Sequence, residues 1–124
     1  MTIQFDWLRY VDVADHLLTQ QGEEFFRSAI SRAYYGVFCI IRDILEKNQG
    51  HRFPTDRSVH RQVINSLRSD LRPDVASLGY DIDRLFRERN RADYRTGLQF
   101  KQSQGRKSVS LAKSIQSRIS ILLP

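Results

Sequence analysis

Disulfides, metal sites and phosphate-cradling loops all find too little material in this chain of 124 residues. Its one cysteine, Cys39, cannot close an intrachain disulfide. Set in the most apolar part of its segment, it reads as a buried structural thiol rather than a nucleophile. The histidines are only His16, His51 and His60. They form no Cys–His cluster and no His-Glu-x-x-His, and no acidic calcium loop is present, so no metal ligand set is recognisable. No glycine-rich stretch offers a phosphate cradle. Neither metal nor other cofactor is therefore expected. No apolar run approaches the roughly 20 residues that cross a bilayer, and the opening MTIQFDWLRY lacks the basic-then-apolar layout of a secretory signal. A cytoplasmic protein without a membrane partner is expected. Strand-type alternation and internal repeats are missing as well, which leaves helices.

What the chain does contain is enough apolar material for a core: 40% hydrophobic residues, with 7 Phe, 5 Tyr and 1 Trp. A length of this order builds a core without disulfides and reads as a single domain over residues 1–124. The formal net charge of +6 is unevenly spread. Residues 1–50 carry 5 Lys/Arg against 7 Asp/Glu, whereas residues 51–124 carry 15 against 7. Such asymmetry points to an anionic partner for the C-terminal half, RNA or DNA first. Solubility, or pairing with an acidic protein, would produce the same balance.

The stretch from Glu24 to Lys47, EFFRSAISRAYYGVFCIIRDILEK, organises the rest. Phe26, Ile30, Ala33, Val37, Ile40 or Ile41 and Ile44 recur in steps of three and four, and Ala33 to Ile41 holds no charged residue. A helix apolar almost all round belongs at the centre of a bundle. Around it the periodicity predicts a first helix over about Phe5–Gln20, with Asp6 as a cap, and a third from Thr55 or Asp56 to about Asp70. A fourth is expected over Asp74–Tyr94, where Val75, Leu78, Ile82, Leu85, Phe86 and Arg89 share one side, and a last over about Ser108–Leu122. Arg95 to Arg106 reads as loop. The fold class is all-α, an up-and-down bundle of four to five helices.

The densest chemistry lies in RLFRERNRADYR, Arg84 to Arg95. On a helix Arg89 and Asp93 are four apart, as are Asn90 and Tyr94. An arginine held by an aspartate, with an amide and a phenol beside it, can grip a phosphodiester. Spacing alone favours the plainer reading, an ion pair that pins a helix end among solvated arginines.

Together, SAISRAYYGVFCIIRDIL from Ser28 and LFRERNRADYR from Leu85 resemble the two signature regions of the HEPN superfamily. The match is to the subgroup with a Ser-Arg-Ala-Tyr-Tyr second helix, a later histidine (here His60) and an Arg-x-x-Ala-Asp-Tyr ending. The resemblance implies a small helical bundle directed at RNA, either a metal-independent endoribonuclease or a non-catalytic RNA-binding module. It also implies a homodimer and a toxin–antitoxin or defence setting with a minimal nucleotidyltransferase as partner. It carries Arg89, Asn90 and Tyr94 onto the catalytic position; the basic C-terminal half adds Arg87, Arg91 and Arg95 as expected RNA contacts, with Arg32 of the central helix beside them. Ser31, Tyr35, Asp93 and His60 become a supporting polar cluster; the alternative is that the same residues form a buried structural cluster joining the second and fourth helices, with Arg32 paired to Asp93.

The chain departs from the family pattern at one position. The family's catalytic signature runs from an arginine and a polar residue to a histidine four to six residues on, and here Tyr94 stands where the histidine is expected. Metal-free RNA cleavage needs a proton carrier near neutrality, which histidine is and an ordinary tyrosine is not. Weak or absent intrinsic RNase activity is therefore expected. The alternative class is a non-enzymatic, dimerising module that regulates a protein partner. A helix-turn-helix DNA reader, with Arg57, Arg61 and Arg68 on its recognition helix, suits the long central helix less well.

Overall fold

In the computed structural model, which describes residues 4–124, the chain forms five α-helices and a closing 3-10 turn. These are α1 (Arg9–Leu17), α2 (Glu23–Asn48), α3 (Ser58–Arg68), α4 (Pro73–Tyr94) and α5 (Gln102–Arg118), followed by Ile119–Leu122. No strand occurs among the described residues. The all-α bundle expected from the periodicity is what forms.

Helix α2 is the axis. It spans about 39 Å at 1.5 Å per residue, and 12 of its 26 residues are buried, which only a helix covered on several sides achieves. α1, α4 and α5 pack directly on it, while α3 reaches the bundle mainly through α4. α1 lies closest at Gly36, where an added Cβ would sit 3.0 Å from Val11 Cγ2 and 3.1 Å from the Trp7 carbonyl. The glycine that weakens α2 by about 1 kcal/mol in propensity thus admits a neighbouring backbone. Gly79 does the same between α3 and α4, its Cβ position falling 2.6 Å from the Arg68 backbone nitrogen. α4 runs through it without a break.

The bounds differ from the sequence expectation most at α1 and α5, and α3 is two or three residues shorter at each end than expected. α1 is shorter than Phe5–Gln20 because Asp6 caps a preceding turn instead, its Oδ1 accepting the Leu8 N–H at 3.1 Å. That turn leaves the Trp7 indole N–H free to donate to Asp43 on α2 at 3.0 Å. α5 begins at Gln102, six residues before the expected Ser108, so the end of the supposed loop is helical. Gln104 Oε1 accepts the Lys101 N–H at 2.7 Å, Gln102 donates to the Leu18 carbonyl at 2.7 Å, and buried Gly105 lies against Leu18. Gln102 and Gly105 look loop-like in sequence because the residue they meet, Leu18, lies more than 80 positions away.

The main core gathers residues from all five helices, Val11, Ala33, Phe38, Ile64, Leu78 and Ile115 among them. A second, small cluster of Ile30, Ala92 and Phe100 ties the segment after α4 back to α2. Beside it, Arg27 of α2 donates to the carbonyls of Ala92 (2.9 Å), Arg95 (3.1 Å) and Leu98, and its guanidinium lies 4.7 Å from the Phe100 ring centre. The Ala92 carbonyl that α4 leaves orphaned in its last turn, and those of Arg95 and Leu98 just beyond it, are thereby engaged by another helix. This contact fixes the height at which Asp93 and Tyr94 present themselves.

Candidate functional site: a caged arginine at an α2–α3–α4 cleft

Three helix faces converge. On α2, Ser31, Tyr34, Tyr35 and Phe38 follow three-and-four spacing. On α4, Phe86, Arg89, Asn90, Asp93 and Tyr94 do the same. α3 adds His60, and Arg57 precedes its first turn. Tyr35, Arg57, His60, Phe86, Arg89, Asn90 and Tyr94 line an open cleft of about 500 Å³.

Arg89 is the centre of the site. Only 5% exposed, it lies with its guanidinium carbon 5.1 Å from the Tyr35 ring centre, 5.3 Å from Tyr34, 5.4 Å from Phe86 and 6.0 Å from Tyr94. Its carboxylate partner is Asp93, with Nη1 3.6 Å from Oδ2, and Asp93 in turn accepts from Ser31 Oγ at 3.3 Å. Taking a guanidinium out of water costs several kcal/mol. Each ring face returns on the order of 0.5–2 kcal/mol, and the aspartate offsets part of the remainder. Among the described residues, Arg89 Nε is the one buried side-chain nitrogen or oxygen without a hydrogen-bond partner.

His60 occupies the opposite wall. Its ring stacks between Phe38 (4.5 Å between centres) and Phe86 (5.3 Å), and its Nδ1 lies 2.7 Å from the hydroxyl of fully buried Tyr34. Burial, then the positive charges of Arg89 and Arg42, push its pKa from the usual 6.5 down to about 4. The imidazole is therefore neutral at pH 7. Burial pushes the Tyr34 phenol upward, so it keeps its proton.

A family profile described as the HEPN domain matches residues 8–122. The chain belongs to the HEPN family. The resemblance carried by Ser31–Tyr35 and Arg89–Tyr94 thus extends over nearly the whole chain. No curated protein and no solved structure matches it.

Within this HEPN chain, most of the residues singled out from sequence come together. Arg89, Asn90, Tyr94, Tyr35 and His60 line the cleft, and Ser31 and Asp93 stand behind Arg89. Arg32 does not join them. Its guanidinium lies over Tyr10 (4.8 Å) and Tyr35 (5.5 Å), toward α1, so the expected Arg32–Asp93 pair is not made and Asp93 serves Arg89 and Ser31 instead. Arg87 reaches back four residues to Asp83 at 2.8 Å, and Arg91 lies 3.6 Å from Glu88. The Arg95 backbone carbonyl is engaged by Arg27.

Other participants were not picked out as site residues from sequence. In sequence Arg57 stands out only with Arg61 and Arg68 as a possible DNA-reading face, Phe86 as one of the apolar residues of the fourth helix, and Tyr34 only within the Ser-Arg-Ala-Tyr-Tyr motif. Asp83 was missed altogether. Buried on α4, it accepts from Arg61 (3.0 Å), Arg68 (3.5 Å) and Arg87 (2.8 Å), clamping α3 to α4 and so holding His60 at the cleft. An aspartate at an inward helical position amid arginines was the available signal. Among the described residues, no group of three or more His, Cys, Asp or Glu is arranged to hold a metal ion, and no helix is long and apolar enough to cross a membrane.

Proposed function

We propose that this HEPN protein binds single-stranded RNA in the α2–α3–α4 cleft and has weak or no RNase activity of its own. The observation that carries the reading is Arg89, a buried guanidinium held in an aromatic cage with Nε unpartnered, on the wall of a cleft that Arg57 also lines. A buried charged group short of acceptors is costly, and a phosphate oxygen in the cleft that Arg89 lines supplies one to its guanidinium. Tyr35, Tyr94 and Phe86 offer ring faces on which bases stack, at about 1–3 kcal/mol per base. Tyr94, 71% exposed, is free to swing over a bound strand. Asn90 adds amide donors, and Arg87 and Arg91, whose side chains stay half or more exposed beside Asp83 and Glu88, extend the basic face along α4 to Arg95 just past its end.

The case against catalysis is chemical. Cleavage through the 2′-hydroxyl needs a base near neutrality and an acid for the leaving oxygen. The cleft holds one imidazole, His60, whose lowered pKa makes it a weak base. Arg89 stabilises charge without moving a proton. We further propose that the protein acts as a homodimer, in a toxin–antitoxin or defence setting, with a minimal nucleotidyltransferase as partner.

The test uses purified protein, single-stranded RNA and a metal chelator, comparing wild type with Arg89→Ala, Tyr94→Phe and His60→Ala, each checked for helicity. Binding without cleavage, lost in a folded Arg89→Ala, supports the proposal. Robust wild-type cleavage abolished by Arg89→Ala overturns the inactive reading. A wild type that binds no RNA leaves the protein-directed regulatory module as the better account.

A further inference from the structure

One nitrogen of His60 is committed to the core and the other is not. Nδ1 faces the Tyr34 hydroxyl at 2.7 Å, and among the described residues that hydroxyl has no second partner. Among the described residues Nε2 makes no hydrogen bond, yet the one buried unpartnered side-chain nitrogen there is Arg89 Nε. Nε2 therefore reaches the solvent of the cleft that His60 lines.

We propose that Tyr34 is a positioning residue that locks His60 as the Nε2–H tautomer, so that His60 donates a hydrogen bond to an acceptor atom of the cleft's ligand rather than serving as its general base. This rests on the cleft being the binding site put forward above. Two arrangements satisfy the 2.7 Å contact. If Nδ1 carried the proton, it would donate to the phenol oxygen, and the phenol's own proton would be stranded in a fully buried site. If the phenol donates, its proton is satisfied and Nε2–H meets water or ligand at the cleft. An unmade buried hydrogen bond is the more expensive error, and a phenol donates to imidazole nitrogen more readily than it accepts. A 180° flip of the ring, which keeps the stacking on Phe38 and Phe86, would set Cδ2–H against the phenol and again strand its proton, so it does not evade the choice.

The charges around the ring hold it in the same state. Arg89 on α4 and Arg42 on α2 both oppose a second proton, Arg57 lines the same cleft beside α3, and Tyr34 and Tyr35 face the ring from α2. A neutral Nε2–H donor selects a carbonyl oxygen, an unprotonated ring nitrogen or a phosphate oxygen. It discriminates against a group that can only donate.

Two-bond proton–nitrogen correlation NMR of the full-length, nitrogen-labelled protein reads the tautomer directly. Wild-type His60 is expected to show protonated Nε2 and bare Nδ1 from about pH 8 down to about pH 5. Tyr34→Phe, which removes only the hydroxyl, is expected to give a tautomer average. Wild-type His60 in the Nδ1–H or averaged form overturns the lock, as does a Tyr34→Phe spectrum identical to wild type.

Binding of a short oligouridylate probes the donor role. His60→Gln, which keeps an N–H near the Nε2 position, is expected to bind within about threefold of wild type, and His60→Ala about tenfold more weakly. Equal losses in both overturn the donor role. An abasic ribose–phosphate oligomer that perturbs Nε2–H as oligouridylate does assigns the acceptor to phosphate, and one that does not assigns it to the base. If wild type fails to bind oligouridylate, the RNA reading and the donor role fall together, while the wild-type spectrum still decides the lock.

Discussion

Asp83→Ala is the substitution whose cost the structure fixes most clearly. The Asp83 side chain is 5% exposed, and its two oxygens serve Arg61, Arg68 and Arg87, whose side chains are 45%, 33% and 68% exposed. The asymmetry sets the magnitude. Removing the acceptor breaks three charge-assisted contacts and leaves three like charges crowded together, but each arginine is wet enough to re-solvate. The loss is then close to that of one strong charged hydrogen bond, about 2–3 kcal/mol, rather than the sum of three. Removing Arg87 leaves Asp83 two partners and takes away a largely solvated side chain, costing under about 1 kcal/mol. For a chain of this size, about 2–3 kcal/mol lowers the melting temperature by roughly 6–15 °C. Urea titration and thermal melting of Asp83→Ala, Arg87→Ala and wild type measure both values. Equal losses in the two variants, or an Asp83→Ala loss below about 0.5 kcal/mol, would refute the idea that one buried carboxylate clamps α3 to α4.

Three further outcomes are expected. His60 has a folded pKa of about 4, below its ordinary 6.5. The unfolded chain therefore takes up that proton first, and stability falls as pH drops through this window. Because the ring is half-buried, solvent screening reduces the effect to about 1–2 kcal/mol, read as the wild-type loss minus that of His60→Gln in urea titrations. Arg27→Met should cost about 1–3 kcal/mol and speed hydrogen exchange at the end of α4 and in residues 95–101, since three carbonyls each lose the Arg27 donor and only that of Arg95 keeps another, the Leu98 N–H; unchanged exchange there contradicts the capping role. Gly79→Ala should destabilise by about 1–3 kcal/mol despite alanine's better helix propensity, because its Cβ would fall 2.6 Å from the Arg68 nitrogen and 2.9 Å from Leu67 Cβ. A stabilised Gly79→Ala would show that α3 and α4 are less tightly packed than described.

What the sequence discloses follows the range of each interaction. The central role of α2 is local, written in the uncharged run from Ala33 to Ile41, and so is the inward position of Arg89, which continues the Val75–Leu78–Ile82–Leu85 stripe. The Arg89–Asp93 pair is likewise an i, i+4 contact. Interactions across the bundle are not legible in this way. Arg27 finds its carbonyls 65 to 71 positions away, and nothing near it in sequence signals that role. Arg32 and Asp93 have complementary charges, but the geometry gives Arg32 to Tyr10 and Tyr35. The start of α5 escapes because Gln102, Gln104 and Gly105 have loop-like composition, and the fit of Gln102 and Gly105 against Leu18 exists only once α1 and α2 are in place. His60 illustrates both cases. The resemblance marks it for attention, whereas its contact with Tyr34 and its place on the cleft belong to the fold alone.

The most direct measurement of the central claim is a titration of single-stranded RNA at several salt concentrations with wild type and Arg89→Met, a variant that removes the charge while keeping much of the side chain's bulk inside the cage. Circular dichroism first establishes that both are equally helical. If Arg89 grips a phosphate, wild-type affinity falls steeply with salt. The variant then binds at least about tenfold more weakly, and its salt slope is shallower by about one phosphate's worth of released counterion, close to 0.7 for a single strand. A folded Arg89→Met that binds with wild-type affinity and wild-type salt slope would show that the caged arginine only joins α2 to α4, and that the RNA, if bound at all, lies elsewhere.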